Sequence, residues 1–72
     1  MRMPTPYREI AETVVTQAAE ENMLPAVRVP ISDVPDLERE IRDVLTERSL
    51  TDDYDVDVRG EIVAVIPRDP GS

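Results

Sequence analysis

Five consecutive apolar residues, Ile62-Val63-Ala64-Val65-Ile66, constrain this chain more than any other segment. Successive side chains of a strand point to opposite faces, so an unbroken apolar run of this length predicts a strand covered on both faces. Such a strand belongs in the middle of a sheet. Pro67-Arg68-Asp69-Pro70-Gly71-Ser72 follows it and ends regular structure.

The segment just before reads as its hairpin partner. Tyr54, Val56 and Val58 alternate with Asp53, Asp55 and Asp57, and Arg59-Gly60 fits a two-residue turn. That turn pairs Val58 with Glu61, Val56 with Val63 and Tyr54 with Val65. Directly paired residues share a face. One face then carries Tyr54, Val56, Val58, Val63 and Val65. The other carries Asp53, Asp55 and Asp57 beside Ile62, Ala64 and Ile66.

Upstream, the spacing is helical, then alternating, then helical again. Residues 1–6 read as an extended lead-in, with Thr5 as N-cap and Pro6 at the first helical position. Tyr7, Ile10, Ala11, Val14, Val15 and Ala18 then recur at i, i+3, i+4 and i+7, and Asn22 suits a left-handed helix end. Val27, Val29 and Ile31 alternate within a predicted strand over 23–31. Pro25 and Pro30 cannot donate to a ladder, which makes it an edge strand. Asp33 is the next expected N-cap, with Pro35 and Asp36 in the first turn. Leu37, Ile41, Val44 and Leu45 form a second helical stripe reaching about Ser49. Its outer face offers Glu38–Arg42 and Arg39–Asp43 at i,i+4.

The expected fold is therefore α+β. It is one small domain over residues 1–72, in the order α-β-α-β-β, with extended tails at 1–6 and 67–72. A right-handed crossover through the second helix leads to a three-stranded antiparallel sheet of spatial order 1-3-2, a split β-α-β unit with an added helix. Two arrangements remain open. The first helix covers Ile62, Ala64 and Ile66 in a three-layer monomer, or both helices share one face and a partner covers the other.

Composition bounds function mainly by exclusion. The 72 residues contain no cysteine, no histidine and two glycines. Ser-His and Cys-His nucleophiles, Cys/His zinc sites and Gly-rich phosphate loops are thereby excluded. No disulfide or metal staples a chain whose core is small for its surface, which favours oligomerisation or docking. Asp53-x-Asp55-x-Asp57 has the spacing of the first EF-hand ligands. The loop's required Gly and Glu fall on Val58 and Ala64, so that site is rejected; the row reads as a solvated strand face, with a loose cation contact as the lesser alternative. Among sixteen carboxylates some close pair is inevitable and carries no catalytic meaning. No catalytic residue, cofactor or metal site is expected, and no small-molecule substrate. Neither an apolar span nor a leader pattern is present, so the chain reads as cytoplasmic or as part of a particle assembled in the cell.

Eight arginines, no lysine and sixteen acids give a formal net charge of −8. Residues 1–32 hold three Arg and four acids, whereas 33–72 hold five Arg and twelve acids. This field has the wrong sign for nucleic acid or anionic lipid. Arg28, Arg59 and Arg68 are expected to neutralise neighbouring acids; the competing expectation has them touch phosphate. Two origins explain the acidity. One is a GC-rich genome or a concentrated-salt habitat, where the Debye length shrinks to about 3 Å. The other is a functional acidic face. The leading expectation is a non-catalytic assembly protein that self-associates or docks in a larger complex, such as a virus or phage particle, through Ile62, Ala64 and Ile66 rimmed by Asp53, Asp55 and Asp57. An acidic inhibitor or nucleic-acid mimic comes second, and a small transcriptional regulator third.

Overall fold

The computed structural model describes residues 6–68. Helix α1 spans Pro6–Glu20 and opens on the proline whose missing N–H costs nothing in the first turn. The expected cap, Thr5, lies outside the described residues. Ala11, Val14, Val15 and Ala18 form its buried stripe, and these small side chains let α1 lie close to its neighbours. Asn22 ends it with φ of 55°, while the Met23 N–H donates to the Gln17 carbonyl at 3.1 Å.

Strand β1 is only Ala26–Arg28, not the whole of 23–31. The prolines set this limit. Pro25 and Pro30 bracket the strand without a donor, and Ile31–Asp33 coils into a 3-10 turn in which the Asp33 N–H bonds Pro30 O at 2.8 Å. Ile31 thus leaves the alternation and stays exposed.

Helix α2 spans Val34–Glu47, with Pro35 in its first turn and Leu37, Ile41, Val44 and Leu45 buried. Asp33 holds the N-cap position but makes no side-chain capping bond. Its carboxylate instead accepts the Tyr7 hydroxyl and ties the start of α1 to the start of α2. The same bond raises the Tyr7 phenol above its ordinary value, with burial and the charges of Asp33 and Asp36 adding to it. The folded chain thus holds this proton more tightly than the unfolded one. The stabilisation is whole below about pH 10 and is lost as pH climbs through the raised value. Tyr7→Phe should therefore flatten the alkaline loss of stability from about pH 10 upward, as read by thermal melts. An unchanged alkaline slope would count against the bond.

The end of α2 is a Schellman turn. Ser49 takes φ of 58°, and the Leu50 N–H bonds Leu45 O at 2.8 Å. Strands β2 (Tyr54–Arg59) and β3 (Ile62–Pro67) then form the hairpin. Its register differs from the expected one by two residues. Val58 pairs with Val63, Val56 with Val65 and Tyr54 with Pro67. The turn is Gly60-Glu61, because Gly60 carries the positive φ of 60° that a type II′ turn needs at its first central position. A two-residue shift keeps every side chain on its expected face.

The sheet order is β1-β3-β2, antiparallel throughout. Both helices lie on one face, and Val14, Val15, Leu37, Ile41 and Val44 close over Val56, Val63 and Val65. The Tyr54 hydroxyl reaches across and donates to the Ala18 carbonyl at 3.1 Å. The molecule is a two-layer α+β domain, and its second sheet face is bare.

Candidate functional site

The bare face is built in rows across the three strands. Register places Arg28, Ile62 and Arg59 in one row, and Ala26, Ala64 and Asp57 in the next. Ile66 stands beside Asp55 in the third. Down the middle, Ile62 is 41% exposed and Ile66 37%, while Ala64 is half-buried between its neighbours. The structure thus brings Ile62, Ala64, Ile66, Asp55 and Asp57 onto one surface. Asp53 lies in the turn just before β2, where its carbonyl accepts the Arg68 N–H at 2.9 Å.

The rim is balanced in charge rather than acidic. Asp57 accepts from Arg59 at 3.0 Å, and Asp55 lies 3.7 Å from Arg68 and 3.6 Å from Arg42 of α2. Arg28 sits 3.3 Å from Glu61. Each arginine singled out in the sequence therefore has an acidic neighbour. Glu38–Arg42 closes at 2.8 Å on α2, while Arg39 and Asp43 do not pair. Arg28, Arg59 and Arg68 with Glu61, Asp57 and Asp55 thus surround the apolar strip with paired charges.

A second apolar region lies round the corner. A groove of about 700 Å³ runs between α1 and β1, lined by Ile10, Val14, Met23, Leu24 and Val27. Leu24 is 71% and Ile31 62% exposed, the two most open large apolar side chains among the described residues. Alternation along 23–31 places Met23 and Ile31 in the strand and does not single them out. The flanking prolines carried the signal, since they shorten β1 and leave both residues outside it. A shallower polar groove between the helices is spanned by Arg48, which donates to Thr16 Oγ1 at 2.8 Å.

Among the described residues no group of acids converges as a metal site, and no buried side-chain polar atom lacks a hydrogen-bond partner. No described helix is long and apolar enough to cross a membrane. Comparison with protein families, characterised proteins and solved structures finds no match to this chain.

Proposed function

We propose that this chain is a non-catalytic assembly protein that works by self-association through its sheet. One observation carries the proposal: both helices cover the same face, leaving the Ile62-Ala64-Ile66 strip of the central strand without cover. An antiparallel sheet that faces water normally alternates apolar-in with polar-out. Here the outward residues of the central strand are apolar. The charged residues sit on the two outer strands, as at the rim of a protein contact. The acidic-mimic reading draws less support, because Asp55 and Asp57 are occupied by arginines.

The test is sedimentation of the wild type and of the double variant Ile62→Lys/Ile66→Lys, at low and at molar salt. The wild type should associate, and the variant should lose the contact made through the strip. Because both positions are exposed, the variant should melt within about 0.5 kcal/mol of the wild type. A wild type that stays monomeric to millimolar concentration at both salts would overturn the proposal.

A further inference from the structure

The two edges of the sheet are finished differently. On β2 two of the three outward donors are occupied: the Tyr54 N–H bonds Leu50 O at 3.0 Å, and the Val56 N–H bonds the Asp55 carboxylate at 2.8 Å. On β1 the alternation runs the other way. Val65 N–H donates to Pro25 O at 3.1 Å, Val29 N–H donates to Glu61 O at 3.0 Å, and Val27 stands opposite Val63. Residues 25, 27 and 29 therefore bond inward to β3. Ala26 and Arg28 turn their N–H and C=O groups out to the free edge, a template for another strand.

We infer that this edge pairs antiparallel with β1 of a second copy, about a two-fold axis at Val27, joining the two sheets into one of six strands. The inference extends the self-association proposed above: it adds a second contact, at the sheet edge, and leaves the Ile62-Ala64-Ile66 strip open for the contact made by the face. Four features of the edge select a second copy as the occupant. First, the free groups are self-complementary: Ala26 opposite Arg28 of the other chain, and the reverse, satisfies all four in an isologous contact. Second, Pro25 and Pro30 confine pairing to a strand equally short. Third, the flanks match. The same axis sets Met23 and Leu24 of one chain against Ile31 and Pro30 of the other, and Met23, Leu24 and Ile31 are all exposed apolar residues. Fourth, each Arg28 reaches the axis with its own Glu61 at 3.3 Å, so the two arginines meet neutralised.

Area agrees with this choice. A stable contact buries about 800 Å² per partner, roughly a sixth of this chain's 5072 Å². A three-residue edge falls short of that, so the contact has to take in the exposed apolar flanks Met23, Leu24 and Ile31 as well. Pairing would also set the bare Ile62-Ala64-Ile66 strips of both chains on one continuous face, with all four helices on the other.

The test compares three variants by sedimentation equilibrium, with circular dichroism to confirm folding. Ala26→Pro removes an outward N–H and no bond to β3, and should weaken association about tenfold or more, since the axis removes that bond twice. Leu24→Asp/Ile31→Asp leaves the backbone unaltered and should weaken it likewise, which keeps the test decisive if the proline variant misfolds. In the wild type, amide hydrogen exchange at Ala26 and Arg28 should slow as protein concentration rises. Unchanged association in the edge variants, with loss in Ile62→Lys/Ile66→Lys, would overturn the edge pairing and leave the assembly proposal standing. A wild type monomeric throughout would overturn both.

Discussion

Ile41→Ala should bring this chain close to its unfolding point, while Ile62→Ala, the same chemical change, should scarcely register. Ile41 lies on α2 at 0% exposure in the centre of the core, whereas Ile62 stands on the open face. Truncating a fully buried Ile removes its transfer energy and leaves a cavity, at a cost of about 2–5 kcal/mol. A chain of this length has about 4–11 kcal/mol in total, at roughly 0.05–0.15 kcal/mol per residue. Ile41→Ala therefore removes a large share and should lower the Tm by at least about 10 °C. Ile62→Ala should cost less than about 1 kcal/mol. Thermal melts in dilute protein, where association adds no stability, would measure both. Equal losses would mean that Ile62 is covered after all and that the two-layer arrangement is wrong.

The contrast between these two isoleucines also marks what side-chain pattern can reveal. Ile62 to Ile66 announces the central strand, but the cover on both faces that an unbroken apolar run predicts is present on one face only. The order β1-β3-β2 follows from the strand's central place. The pattern does not say which face is left bare, because that depends on where α1 packs. The register error has a similar root. Arg59-Gly60 and Gly60-Glu61 both satisfy the composition of a two-residue turn, and only the sign of φ at its first residue separates them. Alternation of Val27, Val29 and Ile31 overran β1 because it tracks side chains, whereas the strand stops where Pro30 withholds a donor. Asp33 has the local context of a cap, yet its carboxylate serves Tyr7, 26 residues away. The Asp55 and Asp57 row reads as acidic along the chain. Arg42 and Arg68 approach Asp55 from α2 and from beyond β3, and these long-range partners leave no mark in the local sequence.

Raising salt from about 10 mM to 1 M should stabilise this protein, although salt weakens every ion pair it has. Two effects oppose each other, and their sizes decide the sign. The first is self-repulsion of a net charge of −8 within a radius of gyration of 11.8 Å. Treated as a charged sphere in water, the folded chain exceeds its expanded unfolded form by roughly 4 kcal/mol at 10 mM salt and roughly 1 kcal/mol at 1 M. Screening thus returns roughly 3 kcal/mol to the folded state. The second effect is loss of exposed pairs, each worth about 0–1 kcal/mol and many worth nothing measurable. The strongest cluster is Arg8, which lies 3.2 Å from Glu12, 3.8 Å from Glu40 and 2.5 Å from Glu47, joining α1 to α2. That cluster does not offset the repulsion of the remaining carboxylates, most of which lie in residues 33–72. The net gain should be about 1–2 kcal/mol, a rise in Tm of roughly 5–15 °C. Arg8→Ala sharpens the test: it leaves Glu12, Glu40 and Glu47 facing one another, so its loss of stability should be larger at 10 mM than at 1 M salt. Melts of both proteins across sodium chloride concentrations would read this directly. A Tm that falls between 10 mM and 0.3 M would mean that ion pairs, not net charge, dominate this fold.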